Sequence, residues 1–211
     1  MTCGGPNGHS GNAVKFFAFL GIALGLLVTA SATTVVPPSF EELVDGSTLV
    51  FRGRVTAVQS GWSGEGAQRH LATRVTFAVE RALKGEVPAT LMLEFMGGER
   101  DGRRFEIAGL PKFATGERGV FFVENRDGRL CPLMRLRHGR YRVAQDGANG
   151  AERVTRDDHS ALREPAAVRE PLADDVAPRA ASAGEGMTLV EFERAIALRV
   201  QPSPATEAMP R

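Results

Sequence analysis

The sequence predicts a mainly β fold: a compact antiparallel β-barrel with a short N-terminal helix and a C-terminal helix. Three observations carry this expectation. Ser47 to Lys84 holds two runs of alternating apolar residues on either side of a glycine-rich connection. Glycine and proline turns recur at short intervals from there to residue 144, the punctuation of many short strands. Capping boxes precede the only two helical patterns, Ser39-Phe40-Glu41-Glu42 and Thr188-Leu189-Val190-Glu191. Short strands with small helices pack as a barrel or sandwich around one core.

The first segment belongs to targeting rather than to the fold. Lys15 is followed by an apolar run, Phe16 to Ala30, and then by Ala30-Ser31-Ala32. A basic lead, an apolar stretch and an A-x-A ending describe a Sec-type signal peptide over residues 1–32, cleaved after Ala32. The run is short for a hydrocarbon core about 30 Å thick, so a retained anchor is the alternative reading. The chain is expected to be secreted or periplasmic in a bacterium, meeting a membrane only through this peptide. Cys131 is then the one cysteine left, which excludes an intrachain disulfide. A buried, inert thiol is expected there, with intermolecular pairing as the alternative. The 26 Lys+Arg residues nearly balance 25 Asp+Glu, so no net field favours nucleic acid as a partner.

Ser39 caps a helix whose buried edge is Phe40, Leu43 and Val44, and Asp45-Gly46 ends it. A first strand places Leu49, Phe51, Val55 and Ala57 inward, with Gly53 in the same row, where a bulge or close backbone approach is expected. Ser60 to His70 reads as a Gly- and Ser-rich loop with Trp62 at its tip. A second strand places Val75, Phe77 and Val79 inward; a third spans Ala89 to Met96. Gly97-Gly98 opens a charged loop. Gly119 to Glu124 is too apolar to be half exposed, which marks a central strand. A return strand, Leu130 to Arg137, turns at His138-Gly139 into a last strand, Arg140 to Ala144. Residues 33–144 therefore form the β-barrel domain. Residues 145–186 are rich in Ala, Arg, Asp, Glu and Pro and read as a disordered linker. Residues 187–200 form a helix with the stripe Leu189, Phe192, Ile196 and Val200; residues 201–211 form a flexible tail.

Catalytic patterns are missing from the sequence. His70, His138 and His159 belong to no metal-binding spacing, and there is no nucleophile elbow, P-loop or dinucleotide fingerprint. An enzyme is not expected, and neither is a metal or cofactor. The strongest binding signal is the last hairpin. A two-residue turn at His138-Gly139 would set Arg137 opposite Arg140 and Arg135 opposite Arg142, gathering four arginines on one face. Opposed like charges destabilise a sheet, so something acidic must compensate them. Neighbours such as Glu94, Glu117 or Glu124 would do so internally; an anionic glycan or acidic protein would do so from outside. Trp62 is the other candidate, either as a contact residue for a partner or as a cover for an open barrel end.

Val50 to Val58 (VFRGRVTAV) and Val75 to Gly85 (VTFAVERALKG) resemble the first strands of the netrin-like module, the OB-type barrel of tissue inhibitors of metalloproteinases. Gly109 to Glu124 is similar to a segment of uncharacterised exported bacterial proteins with the same opening strands. The resemblance implies an OB-type barrel over Phe40 to Val143. It does not carry the inhibitors' zinc chelation, which needs an N-terminal cysteine; here the mature chain would begin Thr33-Thr34. The expected function is an exported, non-enzymatic binding module acting through barrel-end loops and the Arg135/Arg137/Arg140/Arg142 face. The alternatives are a structural subunit of a cell-envelope assembly docking through the C-terminal helix and, more remotely, a protease inhibitor or an unrecognised hydrolase.

Overall fold

Two 15-residue strands, β1 (Leu49–Ser63) and β2 (His70–Lys84), pair antiparallel along their whole length and seed the sheet. In the computed structural model, residues 1–2, 36–125, 130–146, 150–173 and 186–201 are described. The expected signal peptide from residue 3 on, with its expected cleavage site at Ala32, and the tail from residue 202 lie outside the described residues.

The helix α1 (Phe40–Gly46) precedes β1 and carries the expected reciprocal cap between Ser39 and Glu42. After β2 come β3 (Thr90–Met96), β4 (Gly98–Arg100), β5 (Arg103–Phe105), β6 (Arg118–Val123), β7 (Arg140–Gln145) and β8 (Glu152–Arg156). The helix α2 (Leu189–Val200) closes the series with its own capping box, Thr188 with Glu191. Six strands form one antiparallel sheet in the order β3-β2-β1-β6-β7-β8, and β4 pairs with β5 in a separate hairpin. The molecule is thus mainly β, with β3 and β8 at the two edges of the large sheet.

Side chains of β1 and β6 are buried on both faces of this sheet. Phe51, Val55, Val75, Phe77, Leu93, Phe95 and Phe121 form one core. Val50, Val120, Phe122, Tyr141 and Val154 form the other, under Phe40, Leu43, Phe192 and Ile196 of the helices. Two-sided burial is why GVFFVE reads as continuous apolar sequence: it occupies the fourth strand position of six. Phe192 touches Phe122, Tyr141 and Phe40 through tilted ring contacts, so Leu189, Phe192 and Ile196 of the expected α2 stripe fold back on the chain's own sheet, whereas its fourth member, Val200, stays exposed at the helix end. Glu193, 5% exposed, receives Arg52 and Arg81 at 2.7 and 2.6 Å and ties the helix to β1 and β2.

Gly53 fits its expectation. A register shift separates it from Arg52, and a Cβ there would lie 2.9 Å from the Ala78 carbonyl oxygen.

Three expectations need correction. Strand β1 runs through Trp62, which pairs with Leu71 inside the ladder and is not a loop tip. The return strand Leu130 to Arg137 does not form. Only Leu133 bridges to Val123, and Arg135 and Leu136 take left-handed backbone angles before a 3-10 turn, Leu136–Gly139. Gly139 is what this turn requires, since a Cβ would meet the Met134 backbone at 2.8 Å. Finally, residues 150–173 of the supposed linker are part of the fold, with residues 152–156 in the sheet and the rest packed against it. Strand β8 pairs with β7, and Val154, Leu162 and Val168 are buried in the helix-side core.

Candidate functional site

The β4–β5 hairpin is a flap laid over the ends of β1 and β2. Gly97 and Gly98 turn the chain into it with φ of +100° and +142°, angles that suit glycine. A Cβ on Gly98 would sit 2.7 Å from both the Ser60 and Thr73 hydroxyls, so only glycine lets the flap lie this close. The two hydroxyls hydrogen-bond each other at 2.9 Å, and Thr73 Oγ1 donates to the Gly97 carbonyl at 2.8 Å. At the flap's tip, Trp62 Nε1 donates to Asp101 Oδ2 at 3.1 Å. The Arg69 guanidinium lies 4.6 Å from the indole ring centroid and that of Arg103 lies 6.0 Å away. Trp62 therefore pins the flap rather than projecting freely.

Beneath the flap lies a cleft of about 210 Å³, reached from solvent. Val58, Ser60 and Thr73 form its sheet side, Gly98 and Phe105 its flap side, and the segment Glu106 to Phe113 its far wall. The lining is mostly apolar with a few polar groups, the usual character of a ligand site. Phe105 is 46% exposed at the mouth, an aromatic ring left without full cover. Phe113 forms the inner end, packed on Phe95 and Phe77 at centroid separations of 4.9 and 5.7 Å.

Behind Phe113 lies a second polar centre. The Arg140 guanidinium sits 4.4 Å from the Phe113 ring centroid, on a residue only 2% exposed. It donates to the Lys112 carbonyl and to Glu117 at 2.6 Å, and lies 3.3 Å from Asp157. Arg142 reaches Glu117 at 2.7 Å, and Arg137 reaches Asp157 at 2.6 Å. Burial lowers the Arg140 pKa to about 10, against the pull of Asp157 and Glu117, so it is charged at neutral pH. Burial opposes ionisation of Glu117, but the Ala114 N–H and the Arg140 and Arg142 guanidinium groups outweigh it and hold its carboxyl below the usual range. Burial first, then Arg156 and Arg137, lowers His138 to about 4, so this imidazole is neutral at pH 7.

The sequence-predicted arginines thus divide. Arg137, Arg140 and Arg142 do converge, but through internal carboxylates, whereas Arg135 is exposed at the start of the 3-10 turn. Glu117 was among the anticipated partners; Asp157 was not, because it falls in the segment read as linker. The Asn149-Gly150 dipeptide ahead of it was a hairpin signal for that region. The cleft itself had no sequence signal beyond Gly97-Gly98. Neither His70 nor His138 lines it. Cys131 is half-buried, and burial pushes its thiol up to about 12, the environment of an inert cysteine. Among the described residues, no cluster of three or more His, Cys, Asp or Glu side chains is arranged to hold a metal ion.

No protein-family model matches the chain, and no curated protein matches it significantly.

Proposed function

We propose that this chain is an exported, non-enzymatic binding module, built on an OB-like, netrin-like barrel, that takes a large apolar side chain of a protein partner into the cleft under its flap. The single observation that carries this reading is the cleft itself. It is solvent-accessible, mostly apolar, and bounded by a flap whose approach depends on Gly98 and Trp62. Its volume, about 210 Å³, suits one aromatic or branched aliphatic group rather than a drug-sized ligand. Lys112 and Glu106 stand exposed beside the mouth, where they can meet the polar backbone that accompanies such a side chain.

The arginine face no longer favours an external anion. Its three converging members already meet Glu117 and Asp157 inside the molecule. The buried side of α2 (Leu189, Phe192, Ile196) is likewise spent on its own sheet, and only the exposed Val190, Leu198 and Val200 remain for assembly through that helix. Export by a signal peptide cleaved after Ala32 belongs to the same reading, and N-terminal sequencing of the exported chain should find Thr33 first.

Calorimetric titration tests the cleft with N-acetyl-phenylalanine amide as the probe and N-acetyl-alanine amide as the control. Saturable binding of the first alone, with a Kd on the order of 1 mM as expected for one buried side chain, supports the proposal. Its loss in Phe105→Ser ties it to the mouth. Equal heats from both probes would remove it.

A further inference from the structure

The two edges of the large sheet are treated differently. Strand β8 is covered: Thr155 bridges to Ala161, Arg153 bridges to Thr188, and the Val154 N–H donates to the Met187 carbonyl at 3.1 Å. Strand β3 is open. Its bonds to β2 are fixed by the Val79 N–H on Ala89 O and the Gly97 N–H on Leu71 O, both 2.8 Å. In the regular ladder between them, Leu91, Leu93 and Phe95 exchange bonds with β2, while the backbone groups of Thr90, Met92 and Glu94 point away. Leu130 O accepts from the Met96 N–H at 3.0 Å, capping the edge at that end only. Among the described residues, nothing takes the outward N–H and C=O groups of Thr90, Met92 or Glu94.

Sheet edges are ordinarily blunted by lysine, proline, a bulge or a cover. TLMLEFM has none of these. Its one charge is Glu94, its ladder with β2 runs without a register shift, and Met92 is 55% exposed. Such an edge pairs with another strand unless something prevents it. The sequence also suits pairing with itself. In an antiparallel two-fold arrangement centred on Met92, Met92 faces Met92 of a second copy and Thr90 faces its Glu94. The three opposed pairs then exchange about six backbone hydrogen bonds. The exposed thioethers cover each other on one face, each threonine hydroxyl lies opposite a carboxylate that Ser63 and Arg74 of its own chain already hold and partly neutralise, and the two Glu94 charges stand well apart. We infer that β3 is a homodimerisation edge, through which two copies join their sheets into one continuous antiparallel sheet.

The cleft takes Phe95 and Met96 from the end of β3, but its lining includes none of Thr90, Met92 and Glu94, whose outward groups would make the interface, so either can fail without the other. Sedimentation velocity of the full chain over a wide concentration range, combined with amide hydrogen exchange, tests it. A reversible dimer is expected, with slowed exchange at Thr90, Met92 and Glu94 as concentration rises. Met92→Lys sets two like charges face to face and should leave a monomer with fast exchange at those amides. Met92→Pro removes an outward N–H and none of the β2 bonds, so it should give the same result in a folded chain. A wild-type monomer at every concentration, an oligomer that survives both variants, or protection of β3 that appears only with a different protein added would each overturn the inference.

Discussion

The cleft and the Arg140 centre share one wall, Phe113, yet they solve opposite problems. On the cleft side, Phe113 lines open, mostly apolar space under a flap whose tip is held by an exposed indole hydrogen bond. On the other side, it carries a guanidinium that is almost fully removed from water and neutralised by Glu117 and Asp157. Apolar surface left accessible with polar groups at its rim invites a ligand; the buried guanidinium already has its counter-charges beside it, even though Asp157 Oδ1 meets Arg140 as an ion pair without a hydrogen bond. A count of arginines therefore points to the wrong side of Phe113. What the Arg140 centre contributes to the site is position: by bonding the Lys112 carbonyl and stacking on Phe113, it holds the far wall of the cleft.

The largest expected effect breaks that wall from behind. Arg140→Ala leaves Asp157 and Glu117 less compensated in a buried setting and should destabilise the fold by about 3–5 kcal/mol in chemical denaturation. It should also weaken probe binding in the cleft without touching the probe.

The next effect is one of pH. His138 is held neutral by burial, with a folded pKa of about 4 against an ordinary value of 6.5. Between those values the unfolded chain binds the extra proton, so stability is fully present above about pH 6.5 and falls as the pH drops toward 4. The loss approaches about 3 kcal/mol for this one group. His138→Gln should flatten that part of the stability-against-pH curve; an unchanged slope would place the acid sensitivity elsewhere.

A smaller change is expected at the flap. Trp62→Phe keeps a ring beneath Arg69 while removing the bond to Asp101, and should cost about 1 kcal/mol or less. Hydrogen exchange across Gly98 to Phe105 should rise while the β1–β2 ladder stays protected. Smallest of all, Arg135→Ser should change stability by no more than about 0.5 kcal/mol. An effect at Arg135 as large as that at Arg140 would erase the distinction between the exposed arginine and the buried ones.

These contrasts explain how much was legible in the sequence. The two capped helices, the apolar alternation of β1 to β3 and the central GVFFVE all follow from local pattern, because each buries apolar side chains with its own periodicity. The region around Arg140 did not, because the residues that fix it break the polar-outside rule. Strand β8 has only Val154 and Thr155 as strand formers, flanked by charged residues of which Arg156 is buried, so its composition carries too short an apolar pattern to read as strand. The 3-10 turn at Leu136–Gly139 depends on left-handed angles at Arg135 and Leu136, residues that local preference would not put there. The flap was half visible, since Gly97-Gly98 marks a turn but does not show what the turned chain covers. The full length of the strand that carries Trp62 is hidden in the sequence, because Ser60, Gly61 and Ser63 look like loop residues until their ladder partners on β2 are known.

The most direct test of the central claim is amide chemical-shift mapping of the chain titrated with N-acetyl-phenylalanine amide. The predicted result is a saturable set of shifts at Ser60, Thr73, Gly98, Phe105 and Lys112, together with the Trp62 indole N–H, while Arg135 and the backbone of residues 136–139 stay fixed. Shifts centred on the arginine turn, or spread evenly over the surface with no saturation, would contradict it.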